Sequence, residues 1–319
     1  MSKLGRVSKT LSDNFDEDLL LQEPMSVWKR TFKRLWSRRS GKIGLLLIGF
    51  IFLIAFAAPV IAPYDPHEVL IGKEIVKLKK REGPCIHMLG CDSAKPQHIM
   101  GIDGNYRDQF SRIIYGSRIS LSIGFSTVTF AVTGGVLLGA LAAFFGGWID
   151  NIIMRLMDVI LGFPSLLLAI AIVAVLGPGI RNALLAIAIV TLPAYARLTR
   201  ASVLTVKELD FVKASIALGA SPTRLLLFRI LPNSLTPVVV LATLGIATAI
   251  LDAAGLSFLG LGAQPPMPEW GTMLGSERNQ VFSAPHLVFF PGIAIMITVL
   301  SFNLFGDGLR DALDPRLND

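Results

Sequence analysis

Charge is what this sequence has least of. Asp, Glu, Lys and Arg make up 17% of its 319 residues, against about 25% in a soluble domain. A chain this long with so few ionised groups cannot cover itself with a wetted surface. Hydrophobic residues at 52% and a mean hydropathy of +0.60 point to lipid as the solvent. Cysteine is nearly absent: Cys85 and Cys91 alone cannot build a cysteine-rich framework. No G-x-x-x-x-G-K-[ST] run occurs, so the chain carries no phosphate cradle of its own. No catalytic constellation stands out, and no metal site is expected. The histidines His67, His87, His98 and His286 all fall in loops or at helix ends, and no catalytic pair of polar residues sits at membrane depth. That argues against a membrane-embedded enzyme.

The basic residues that are present are unevenly spread. Lys29, Arg30, Lys33, Arg34, Arg38, Arg39 and Lys42 crowd before the first long apolar run, the positive-inside pattern of a membrane protein rather than a nucleic-acid surface. That run is too long for the h-region of a signal peptide and reads as an uncleaved first helix. Spanning needs about 20 mostly apolar residues. Six segments qualify: Ile43–Ala62, Ser120–Phe145, Ile152–Leu176, a fourth beginning at Asn182–Ala196, Ser234–Leu261 and Leu287–Phe305. The expected fold is therefore all-α, integral to the membrane, with six transmembrane helices. Residues 1–42 form a cytoplasmic N-terminal segment in which Trp28, Phe32 and Leu35 recur at helical spacing, an interfacial amphipathic helix. Residues 43–319 form the transmembrane domain, with an external loop at 63–118 and a cytoplasmic loop at 205–232. Residues 197–231 carry six basic residues and are read as lying outside the bilayer. An even count places both termini in the cytoplasm, although the external loop itself holds nine Lys or Arg, including the run Lys77–Arg81. Small-residue stripes, Gly135/Gly139 and Ala242/Gly245/Ala249/Ala253, allow close helix approach or simple bundle packing.

The informative stretch runs from Asp210 to Pro232. Gly219 can take the left-handed conformation that closes one short helix. Ser221 caps a second, Pro222 occupies its first turn, and Pro232 ends it. Phe211, Ser215 and Leu218 share a face of the first helix; Leu225, Phe228 and Arg229 crowd the second. An exposed amphipathic pair between two spans calls for a groove on a soluble partner. Two acidic residues lie within spans, where charge is costly. Asp252 is read as lining a path, and Asp158 as pairing with Arg155 or a headgroup-level cation. Pro164, in Gly-Phe-Pro-Ser, is expected to kink the third helix.

The pattern Ala214…Leu218-Gly219-Ala220-Ser221…Ile230-Leu231-Pro232-Asn233 resembles the coupling loop of bacterial and archaeal ABC-importer permeases, although that motif usually begins Glu-Ala-Ala and here reads Lys213-Ala214-Ser215. Further blocks are similar to the dipeptide/oligopeptide/nickel importer permeases: Ala62–Pro66, Gly101–Asp108, Ser111–Leu121, and Leu256–Pro266 followed by Trp270-Gly271. The Leu-Ser-Phe-Leu-Gly-Leu-Gly block is like that of the second of the two permeases in such systems. The resemblance implies a type I permease fold with cytoplasmic coupling helices. It implies a second homologous permease, two cytoplasmic ATPase subunits that bind the ATP and Mg, and an external substrate-binding protein. Its substrates would be di- or oligopeptides, with oligosaccharide, nickel or glutathione as alternatives. The residues expected to couple to the ATPases are Phe211, Lys213, Ala214, Ser215, Leu218, Gly219, Ala220, Ser221, Arg224 and Pro232. Those expected at the path or gate are Phe163, Pro164, Asp252 and Phe258. Cys85 and Cys91, on the external side with His87 and His98 nearby, are expected to form a disulfide rather than a zinc site.

Overall fold

The computed structural model describes residues 27–73 and 78–313. Most of the N-terminal segment, Lys77 of the basic run and the last residues lie outside the described residues. Within them the architecture is helical, with only isolated backbone bridges, Cys85 to His98 and Ile102 to Asp108.

A short helix, α1 (Val27–Ser37), is set off from the first span, α2 (Arg39–Ile61), by extended backbone at Arg38. Leu35 is buried where α1 meets Gly41 and Gly308, while Phe32 and Trp36 stack on each other and stay exposed. After the external loop comes α3 (Gln109–Phe145), 37 residues long. Its start is fixed by Asp108, whose carboxylate accepts the Ser111 N–H at 2.7 Å, an N-cap that satisfies a donor with no partner in the helix. The helix therefore begins at Gln109 rather than Ser120, and the external loop ends at 108 rather than 118.

The third span is not one kinked helix. It is two, α4 (Gly147–Leu161) and α5 (Ser165–Leu176), bent by 93° at residues 162–164. Pro164 has no N–H to continue the ladder and disfavours helical backbone at Phe163 before it, so the chain leaves the helix altogether. Five helices are individually long and apolar enough to cross a membrane, or six if the bent pair counts as one span. The fourth, α6 (Ile180–Lys207), continues as one unbroken helix through residues 197–207. Arg197 and Arg200 there are ion-paired, as described below. After the segment 208–235 come α10 (Thr236–Phe258), a short helix α11 (Trp270–Glu277) and α12 (His286–Leu313).

One apolar core joins α2, α3, α6, α10 and α12 through Ile51, Val128, Tyr195, Ile250 and Phe302 among others. The small-residue stripes build it. A side chain at Gly139 would strike the Ala196 carbonyl, so α3 and α6 meet backbone to backbone. Gly245 seats the ring of Tyr195, and Ala249 and Ala253 are buried.

Candidate functional site

Between α6 and α10 the segment folds as α7 (Asp210–Ala217), a tight turn, α8 (Pro222–Leu225), a π turn (Leu226–Ile230) and α9 (Leu231–Ser234). Gly219 has φ +80°, and the Ala220 N–H reaches back to the Ser215 carbonyl at 3.1 Å. Ser221 occupies the cap position and Pro222 the first turn, although the Ser221 side chain makes no capping hydrogen bond. Pro232 does not end the second helix. The π turn before it absorbs its missing N–H, with the Leu231 N–H bonded to the Leu226 carbonyl. The Asn233 amide donates to the Arg229 carbonyl at 2.6 Å and the Ser234 hydroxyl to the Ile230 carbonyl at 2.8 Å, and the run continues to Ser234.

This segment has two faces. Underneath, Val212, Leu225 and Ile230 are buried in one cluster with Ala140 and Ala143 of α3 and Val203 and Val206 of α6. Leu225 thus belongs to the anchor and not to the outer ridge. Outside, Leu218 is 88% exposed and Phe228 72%, with Phe211 beside them also exposed. Leu218, Gly219, Ala220, Arg224, Phe228 and Arg229 border a cavity of about 610 Å³, with Ser215 at its edge. Lys213 and Ala214 are exposed on α7, Lys213 beside Glu208 at 3.7 Å. The cavity thus combines an apolar lip with two arginines and could seat a helix or loop from a soluble protein.

The residues assigned to a path or gate do not form one cluster by element. Phe163 and Pro164 stand exposed at the bend, Asp252 is half-buried on α10, and Phe258 closes that helix beneath the Arg278 guanidinium. Asp158 pairs with Arg197 of α6, not with Arg155. Eight residues earlier on α4, Asp150 takes the Arg200 fork on both oxygens at 2.5 Å. These pairs set the two arginines of α6 against the two carboxylates of α4.

On the other side of the bundle is a buried polar cap that sequence reasoning missed as a physical unit. The Asp103 carboxylate accepts from Arg107 Nε at 2.7 Å and lies 3.5 Å from Arg112 Nε. Arg112, 3% exposed, also donates to the Pro66 carbonyl at 2.8 Å and the Pro266 carbonyl at 3.2 Å. Asp108 holds His98 at 2.8 Å. Glu277 receives Arg81 Nε at 2.8 Å and the Gly104 N–H at 3.0 Å, and Glu269 caps α11 through the Gly271 and Thr272 N–H groups. The signal was present in the i,i+4 charge pair Asp103/Arg107, hidden because a polar loop is ordinarily read as solvated. Cys85 and Cys91 are joined in a disulfide, and burial of Glu82 nearby is outweighed by the Lys79 N–H and Lys95, which hold its carboxyl below the usual range.

Residues 135–319 match the family described as binding-protein-dependent transport system inner membrane component. Residues 26–78 match the N-terminal TM domain of oligopeptide transport permease C. The chain is 47% identical to the dipeptide transport system permease protein DppC of Alkalihalophilus pseudofirmus, over 92% of this chain and 91% of that one. It is 47% identical to the di/tripeptide transport system permease protein of Pseudomonas aeruginosa, over 93% and 96%. With the glutathione transport system permease protein of Pectobacterium atrosepticum it shares 44% identity, over 91% and 90%. Among solved structures, an inward-facing MetNI methionine ABC transporter chain superposes with a TM-score of 0.53 at 18% identity, covering 64% of this chain and 97% of that one.

Proposed function

Because the chain belongs to the binding-protein-dependent inner-membrane permeases of ABC importers and has their type I fold, we propose that it carries dipeptides or short oligopeptides along a path shared with a second permease. Peptides are favoured over the other solutes by the relatives named for dipeptide and di/tripeptide transport, which match at 47% identity. A substrate-binding protein would deliver the peptide from outside. Two ATPase subunits, holding ATP and Mg, would dock from the cytoplasm, so this chain converts their motion into a change of access and performs no covalent chemistry. In this reading both termini are cytoplasmic.

The observation that carries the docking role is the two-faced segment after α6. An apolar ridge of Phe211, Leu218 and Phe228 left uncovered in water is costly, and its underside is fused to the ends of α3 and α6. A partner groove that covers the ridge would move those two helices directly. The test is to reconstitute the chain with its neighbouring permease, ATPases and binding protein in liposomes. ATP-dependent dipeptide uptake that requires every component is expected. Failure of any ATPase to co-purify, or uptake that runs without ATP, would overturn the assignment.

A further inference from the structure

Helix α4 is held differently from every long helix in the bundle. Along its length only Met157 is buried. Trp148, Ile152, Leu156 and Val159 line an outer face that no described residue covers. Its inner face is polar, and across from it α6 offers Arg197 and Arg200 over a cleft of about 340 Å³ lined also by Asp150, Asn151, Met154 and Asp158. The fastening is thus the buried Met157 together with two ion pairs, one of them a bidentate fork whose planar geometry fixes orientation as well as distance. The companion helix α5 is held in the opposite way. Its Ala169 and Val173 are packed into Ala183, Ala186, Ile187 and Val190 of the same α6.

Between the two lies a natural hinge. The Gly162 N–H still bonds the Asp158 carbonyl at 3.0 Å and the Leu168 N–H starts again at the Pro164 carbonyl, also 3.0 Å. Pro164 itself donates nothing, so the hydrogen-bond ladder is interrupted at the 93° bend. A few residues between two rigid elements, with no ladder across them, are what hinge motion requires. At the other end, Arg200 sits one turn before Val203, and Val203 and Val206 are locked into the cluster with Val212, Leu225 and Ile230 of the cytoplasmic segment. A contiguous set of packed and paired elements therefore runs from the exposed ridge, through the end of α6, across two ion pairs, to the hinge.

We propose that α4 is the moving arm of the gate, and that Asp150–Arg200 and Asp158–Arg197 strap it to α6 so that displacement of the docking segment swings α4 about residues 162–164 against a stationary α5. Asp150, Asp158, Arg197 and Arg200 are positioning residues in this scheme; they orient the arm and need not touch the peptide. The inference rests on the docking role given above to the segment after α6.

The experiment uses the assembled importer in lipid, with spin labels at Leu156 and Leu167, two exposed positions flanking the hinge. In the otherwise unaltered complex the label distance should change between the nucleotide-free and ATP-trapped states. In D150N/D158N that change should disappear and uptake fall about tenfold, while the complex still hydrolyses ATP. Reversing all four charges, D150R/D158R with R197D/R200D, should restore both. Asp158→Asn alone removes the more exposed pair, so it serves if the double variant fails to assemble, and should show a partial loss of both signals. An unchanged distance between nucleotide states in the parent complex, full uptake in the neutral variants, or no rescue on charge reversal would each overturn the proposal. Loss of ATPase co-purification from the parent complex would instead refute the docking role itself.

Discussion

At Gly219 the backbone passes through φ +80° between α7 and α8, and nothing lies within 4 Å of the place a β-carbon would occupy. The demand at this position is therefore conformational, not one of space. Any L-residue pays for the left-handed region, least for Asn and most for a β-branched side chain. Gly219→Val should cost about 1–3 kcal/mol locally, enough to tilt α7 off the ridge it forms with Phe228. The bundle core lies elsewhere, so the variant should still insert and bind the second permease, while ATPase docking and uptake fall. The order of activity expected in liposomes is Gly, then Asn, then Ala, then Val. A valine variant with normal substrate-stimulated ATPase activity and uptake would remove the turn from the coupling role. The glycine was legible from sequence because turn chemistry is local: a left-handed residue, then Ser and Pro opening the next helix. Pro232 was misjudged for the complementary reason. Whether a proline ends a helix depends on how the preceding carbonyls are satisfied, and here a π turn and the Asn233 and Ser234 side chains do so.

Among the elements, the external ends of the helices are tied together by one side chain. Arg112, in the first turn of α3, reaches the Pro66 carbonyl just after α2, the Pro266 carbonyl before α11, and Asp103 in the loop between α2 and α3. Arg112→Gln would leave a buried carboxylate with one cation fewer and at least one carbonyl unpaired, a loss of about 2–4 kcal/mol. Thermal unfolding in detergent should show a lowered midpoint, with earlier protease cutting of the external loop. Arg112→Lys should not recover it, since a point charge cannot reproduce the fork; an unchanged midpoint in both variants would show that the clamp contributes nothing. Segments such as α2 and α10 could be read from hydropathy because each meets lipid or core by itself. The cap was harder to read, because it joins local pairs such as Asp103–Arg107 to partners more than a hundred residues away, as Arg81 finds in Glu277. Arg197 and Arg200 likewise find their partners, Asp158 and Asp150, on a neighbouring helix. The break between α4 and α5 was signalled by Pro164, but its size was not, since a bend angle is set by what each arm packs against.

For the whole molecule, the assignment of sides can be checked directly. Single cysteines at Ser37 and Ser283, both exposed, should be labelled by a membrane-impermeant reagent from opposite faces, Ser37 only in inverted vesicles and Ser283 only in intact cells. Labelling of both from one face would mean that the bent pair does not cross. On this arrangement the Cys85–Cys91 bond lies outside, where oxidation is the ordinary state. Helix α3 spans the distance between the two functional ends. Its 37 residues make a rod of about 55 Å at 1.5 Å rise per residue, against a hydrocarbon thickness of about 30 Å. Its outer turn carries the Arg112 clamp, and its inner turns carry Ala140 and Ala143 beneath the docking segment. Pivoted where the bundle core holds its middle, such a rod would act as a lever. A rocking of about 10° would shift each tip by roughly 5 Å in opposite directions, so a nudge from the cytoplasm would arrive at the outer rim as a stroke of equal size without any relay through the side chains between.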